Sequence, residues 1–236
     1  MTAVSRDRER REDGFSLAEL LVTMLIVSLV LSATATLTIG LLRTNAANVS
    51  RQDQVDSARV AVETMAKTLR TSVMQSQLGA SGSTADAFIQ GDNFSVSFYA
   101  NINNPGNTVG PSKVSYRIVP TATGIGELHQ TVQIPDSPTP SPTGYQYSNT
   151  ANIVDSLVAK DVLTDGRAMF SYYDGSSTTA MSTGSTGLSA TDLANVLAIE
   201  LTVTVQSQQA QQAQPTTYVQ RMLLPNAEAV IRQGEE

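Results

Sequence analysis

Hydrophobic and polar positions fall along this chain in three regimes. Residues 1–14 are almost all polar, with Arg6, Arg8, Arg10 and Arg11 interleaved with Asp7, Glu9, Glu12 and Asp13. After Phe15-Ser16-Leu17-Ala18-Glu19, residues 20–42 form a run of 23 residues without a charge. As a helix that run is about 34 Å long, enough to cross a hydrocarbon core of about 30 Å. A buried core helix is one alternative, although core helices this long without a charge are uncommon. A cleaved signal peptide is another. Its apolar part is normally only about 7–15 residues and ends at a small-residue cleavage site. The run here is longer, and no such site clearly follows it.

The second regime is polar but periodic. Val55, Ala58, Val62, Met65, Ala66, Leu69 and Val73 recur at spacings dominated by three and four, one apolar stripe of a helix. Arg51, Asp53, Asp56, Arg59, Glu63, Lys67 and Arg70 fill the other faces, and no Pro or Gly interrupts residues 43–78. The pattern predicts one helix over about 15–78, ended by Gly79 and the Ser81-Gly82-Ser83 cluster. Two helices broken near Gly40 or Thr44-Asn45 are the alternative, and Thr34, Thr36, Thr38 and Gly40 are the soft points.

The third regime alternates with period two. Val114, Tyr116 and Ile118 against Ser115 and Arg117 read as a strand, as do Leu201, Val203 and Val205 against Thr202 and Thr204. Strands are predicted over 94–99, 113–119, 127–134, 168–173, 196–205 and 217–224; residues 153–163 fit a strand or a short helix. Between them lie an Asn-Pro-Gly turn at 103–107, a four-proline segment at 135–144 read as an extended polyproline-like excursion, a Ser/Thr/Gly-rich loop at 176–187 and a Gln-rich tip at 206–214. The expected architecture is α+β, a long N-terminal helix (a transmembrane half and an amphipathic half) packed on an antiparallel sheet.

Composition narrows the chemistry. Among 236 residues there is no Cys and one His, and 15 Lys plus Arg stand against 21 Asp plus Glu, a formal net charge of −6. Disulfides, thiolate metal sites and cysteine nucleophiles are excluded, and a Ser-His-Asp scheme would have to use His129. The acidic balance without a basic run disfavours nucleic acid as a partner. His129 lies in a predicted strand with no second His or Cys, so a surface or half-buried role is expected. Asp174-Gly175-Ser176-Ser177 lacks the alternating acidic pattern of a calcium loop and reads as a turn, and Tyr172 and Tyr173 read as sheet packing. Asp155, Asp161 and Asp165 are spread too widely to suggest a site. No catalytic arrangement, metal or cofactor is expected.

One charge stands out. Glu19 lies at the lip of the apolar run, where a carboxylate in lipid costs several kcal/mol unless paired, protonated or at the interface. Ser16-Leu17-Ala18-Glu19 fits the S-x-x-E capping box, with Ser16 as helix N-cap. The competing reading is that Glu19 requires a cation from another molecule.

Gly14-Phe15-Ser16-Leu17-Ala18-Glu19, joined to the apolar run, resembles the processing signal of type IV prepilins and type II secretion pseudopilins. The resemblance implies peptidase cleavage between Gly14 and Phe15, N-methylation of Phe15, and subunit registration by Glu19. It divides the chain into a cytoplasmic leader (1–14), a membrane and filament-core half-helix (15–42), an amphipathic half-helix (43–78) and an extracytoplasmic β-rich head (79–236). Four arginines before the span favour an inside N-terminus, although Arg43, Arg51 and Arg59 follow it. The implied partners are a prepilin peptidase and methyltransferase, other pilin or pseudopilin subunits, an inner-membrane assembly platform, and membrane lipid before assembly.

More loosely, residues 60–70, the pair SYRIV and GELHQTV, FSYYDGSS and DLANVLAIELTV resemble PilW-type minor pilins and J-type minor pseudopilins. The missing Cys pair departs from the disulfide-looped major pilins, and Glu19 departs from the tip pseudopilins. A structural subunit, not an enzyme, is the leading expectation. A filament-tip adhesin or DNA-uptake pilin and an ordinary single-pass anchored protein are the alternatives.

Overall fold

The computed structural model describes residues 16–175, 177–206 and 214–225. The chain divides into two compact units, one through Asn48 and one from Val49 onward. Helix α1 (Leu17–Leu69) belongs to both, and it runs through Gly40 and Thr44-Asn45. The threonines expected to soften it instead return their hydroxyls to the helix: Thr34, Thr36 and Thr38 donate to Val30, Ser32 and Thr34 carbonyls at 2.7, 2.9 and 2.8 Å. Such bonds satisfy the hydroxyl without leaving the helix.

The helix ends at Leu69, nine residues before the expected Leu78. The physical reason is competition from the sheet. Thr71, Ser72 and Val73 are poor helix formers. Their backbone pairs instead with the end of a strand: Val73 N–H donates to Tyr99 O at 2.9 Å, and Asn101 N–H donates to Thr71 O at 2.8 Å. One 3-10 turn, Gln75–Leu78, follows, and Gly79 closes it with φ of 96°.

Among the described residues of the second unit eight strands form one antiparallel sheet: β1 (Phe88–Gly91), β2 (Ser95–Ala100), β3 (Ser112–Ala122), β4 (Ile125–Gln133), β5 (Ile153–Leu163), β6 (Phe170–Tyr173), β7 (Ala198–Val205) and β8 (Thr216–Leu223). Six match the predicted strands to within a few residues. The undecided stretch is β5, and its strand identity comes from pairing with β4 along nearly its whole length. Strand β1 and the short helix α2 (Ala190–Ala194) were not expected; four and five residues carry too little periodicity to show. The sheet order is β1-β2-β3-β4-β5-β7-β6, with β8 on β7. Among the described residues β5 pairs with β7 at Val162 and Val205, beside which Gln206 N–H donates to Asp161 O at 3.0 Å, so β5 joins the two halves of the sheet over a short stretch.

The core lies between the sheet and the 49–69 part of α1. Ala58, Ala61, Val62, Met65, Ala66 and Leu69 are buried there, with Phe98, Tyr116, Leu128, Phe170, Tyr172, Ile199 and Leu201 from the strands. The apolar stripe is rotated slightly from the expected one. Val55 is 38% exposed, whereas Gln54 and Ala61 are buried. Phe98 packs between Phe88 and Tyr116, with ring centroids 5.8 and 6.3 Å away. Tyr116 keeps its hydroxyl bonded, accepting from Gln130 Nε2 at 2.8 Å. Tyr172, expected in the sheet, is buried and donates to the Asp92 and Ser95 carbonyls at 3.0 and 3.1 Å.

The four-proline segment is not extended. It bends at Asp136, Pro138 and Thr139, and then turns tightly, Ser141 and Gly144 exchanging both backbone hydrogen bonds at 3.0 Å. Most of the Gln-rich tip lies outside the described residues.

Candidate functional site

The amino-terminal segment concentrates the candidate chemistry. Gly14 and Phe15, the expected cleavage and methylation positions, lie outside the described residues. Ser16 immediately precedes α1 and acts as its cap: its Oγ accepts from Glu19 N–H at 3.2 Å, and its carbonyl accepts from Leu20 N–H at 3.1 Å. This satisfies an amide that the first helical turn otherwise leaves open. The reciprocal bond, from the Glu19 carboxylate back to Ser16 N–H, is not among the hydrogen bonds of the described residues. Glu19 is exposed in the first turn of α1, and among the described residues its carboxylate has no ion-pair partner. The helix dipole favours an anion at that end.

The helix beyond Glu19 is apolar on every side. Its large side chains from Leu17 to Leu42 are each at least half exposed, Leu17 most at 78%. No part of the apolar window is buried by the chain itself, and by length and composition this is the one helix among the described residues able to cross a membrane. At about 25 cal/mol per Å² of apolar surface, leaving such a helix in water is strongly unfavourable. It requires lipid or the apolar surfaces of neighbouring helices. Most of its hydroxyls are satisfied within the helix: like Thr34, Thr36 and Thr38, Thr23, Ser28 and Thr44 donate to carbonyls, those of Leu20, Leu25 and Gly40, at 2.8, 2.8 and 3.0 Å. In a medium without water each bond removes a desolvation penalty. The sequence carries the signal for these bonds, since every such hydroxyl has a carbonyl three or four residues earlier.

A second polar cluster forms on the head. His129 of β4 lies between two carboxylates, with Nδ1 2.7 Å from Asp155 Oδ1 and Nε2 3.5 Å from Glu127 Oε2. Arg117 of β3 meets the other Asp155 oxygen at 2.9 Å. An ionised carboxylate only accepts, so Nδ1 carries the proton towards Asp155. The His129 hydrogen bond first, and then the electrostatic attraction of His129 and of Arg117, hold the Asp155 carboxyl below its usual range against a smaller opposing effect of burial. Asp155 therefore belongs with His129 and Arg117 rather than with Asp161 and Asp165; the three-strand register joins residues that chain spacing keeps apart. The two carboxylates meet opposite ring nitrogens and do not converge on one point. Among the described residues no group of three or more His, Asp or Glu side chains is arranged to hold a metal ion. The Asp174 turn is closed by Ser177 N–H donating to Asp174 Oδ1 at 2.6 Å.

A family model described as the prokaryotic N-terminal methylation motif matches residues 10–35. The matched stretch holds the Gly14–Phe15 junction, the capped helix start, Glu19 and the first half of the apolar run. No curated protein and no solved structure matches the chain.

Proposed function

We propose that this type IV prepilin-like chain is a minor pilin or pseudopilin subunit, cut after Gly14, N-methylated on Phe15 and built into a thin filament through α1. The observation that carries the reading is the conjunction at the amino terminus. A methylation motif over residues 10–35 opens a helix whose apolar surface is uncovered, with Glu19 as its sole carboxylate before Asp53.

The mechanism follows from the charges. Cleavage releases an α-amine, which with a pKa near 8 in water is mostly protonated at neutral pH. While the helix is stored in the membrane, Glu19 stays at the interface. In a bundle of such helices, the amine of a subunit already in place offers the cation that Glu19 lacks among the described residues. Such a pair in a low-dielectric core contributes register more than net stability, because any misplacement leaves a buried charge unpaired. Gly14 has no side chain and lets an extended backbone approach a protease closely. The head, by this reading, lies outside the cytoplasmic membrane. The partners are then a prepilin peptidase and methyltransferase, neighbouring subunits and an inner-membrane platform.

The test is amino-terminal sequencing with intact mass measurement on protein from cells with an active prepilin peptidase. The mature chain is expected to begin at methylated Phe15. A chain that keeps the Met1 leader in those cells would be an ordinary membrane-anchored protein.

A further inference from the structure

The proline-rich loop of the head has no part in the function proposed above. Pro135, Pro138, Pro140 and Pro142 are interleaved with Ser137, Thr139, Ser141 and Thr143, and residues 137–147 include no charged side chain. Ser and Thr interleaved with Pro is the composition associated with O-linked glycans. The structure adds what composition lacks, a fixed and accessible acceptor.

The base of the loop is clamped. Asp136 N–H donates to Gln146 O at 2.9 Å, and the Asp136 carboxylate accepts from Ser148 and Asn149 N–H at 2.7 and 3.0 Å. Tyr145 anchors the far side, its N–H donating to Gln75 Oε1 at 2.8 Å and its hydroxyl to Leu78 O at 2.7 Å. The crown between these anchors carries exposed Ser137, Pro138, Thr139, Pro142 and Thr143.

The four hydroxyls are not equivalent. Ser141 Oγ is tied to Gly144 O at 2.7 Å, and Thr143 Oγ1 lies 3.1 Å from Ser141 Oγ. Ser137 Oγ accepts from Thr139 N–H at 3.1 Å. Thr139 Oγ1 alone of the four has no hydrogen-bond partner among the described residues, and Thr139 is exposed. Its flanking residues, Pro138 and Pro140, have no backbone N–H to compete for an incoming group. Docking of the loop into a partner's proline groove fits less well. Pro135, three residues before Pro138, is buried, the chain bends at Pro138 and Thr139, and Pro138, Pro140 and Pro142, two residues apart, make no single face on a helix of three residues per turn.

We infer that Thr139 is an O-glycosylation acceptor, its substrate a sugar activated as a phosphate or pyrophosphate ester. Thr139 Oγ1 attacks the anomeric carbon, forming a C–O bond. The bond from that carbon to the phosphate oxygen breaks, the phosphate leaves with the electron pair, and the hydroxyl proton passes to a base of the transferase. No oxidant or reductant is needed.

The test is intact-mass and fragment-ion mapping of the full chain isolated from the cells that make it. The expected result is a saccharide increment mapped to Thr139. A single-sugar increment indicates a nucleotide-sugar donor and a larger, uniform one a preassembled lipid-carried glycan; both support the assignment. Thr139→Ala removes the increment, Thr139→Ser restores it, and Ser141→Ala retains it. A chain of bare polypeptide mass, or an increment that survives Thr139→Ala, overturns the inference. The amino terminus is read from the same spectra, so failure of processing and failure of glycosylation are distinguished.

Discussion

Glu19 and Asp155 are both carboxylates, and their surroundings give them opposite fates. Glu19 is exposed at the start of an apolar helix with no ion pair among the described residues, so a cation that pairs with it, as proposed above, comes from outside them. Glu19→Val is expected to leave cleavage after Gly14 intact and to abolish incorporation into filaments, read by amino-terminal sequencing and by the amount of the chain in sheared filaments. Gly14→Val is expected to block the cleavage itself, leaving the longer precursor on a gel. Asp155 already has its partners. Its carboxyl is held below the ordinary 3.8 chiefly by the His129 hydrogen bond. A depressed carboxylate pKa contributes stability that is present above 3.8 and is lost as pH falls through the folded-state value. Urea melts of the head across the acid range are expected to show this loss, and Asp155→Asn to flatten that limb.

At the scale of elements, α1 and the loops that follow it are held by different forces. The helix packs through its buried stripe, and Met65 is fully buried in the core. Met65→Ala is expected to destabilise the head by about 2–5 kcal/mol, the range for truncating a large core side chain. The 3-10 turn and the proline-rich loop are joined instead by hydrogen bonds, several of them to one buried amide side chain. Gln75 Oε1 accepts from Tyr145 N–H at 2.8 Å and from Ser83 Oγ at 3.4 Å. Gly144, with φ of 115°, brings the backbone so close that an added Cβ would strike that same oxygen. Gln75→Ala leaves a buried donor unpaired, and a loss of about 1–3 kcal/mol in urea denaturation is expected. The sheet has its own signature at high pH. Burial pushes the Tyr116 phenol up to about 12 from 10.0. The stability that goes with the neutral phenol is present below 10.0 and is lost as pH rises towards about 12. Tyr116→Phe is expected to weaken this alkaline dependence while preserving the fold.

For the whole molecule, the uncovered helix and the packed head pose two separate solvation problems. The head has its own core, to which residues 58–69 of α1 contribute; the described residues through Asn48 contribute none of the buried cluster. A fragment from Val49 onward is therefore expected to be soluble and to unfold cooperatively without detergent, as monitored by circular dichroism. The intact chain is expected to require detergent, lipid or filament neighbours. A fragment that aggregates with a molten core would show that the amino-terminal half is needed for folding.

The amino-terminal half of this account was legible in the residues alone. A charge-free run, a polar leader and the Gly14-Phe15 to Glu19 spacing are local patterns, and local patterns survive without tertiary context. Alternation likewise revealed six strands, because one buried face imposes a period of two wherever a strand is long enough to repeat it. What escaped was decided between distant residues. The helix stops at Leu69 because Thr71 and Val73 find better backbone partners at Tyr99 and Asn101. Residues 153–163 are a strand because β4 offers them a ladder, and Asp155 joins His129 and Arg117 because sheet register overrides chain distance. The sequence by itself determined which stretch is long and apolar enough to cross a membrane, since that depends on composition within one helix. Tertiary structure alone decided which hydroxyls, amides and carboxylates are already paired, since a hydrogen bond depends on ångström-scale geometry that spacing does not encode.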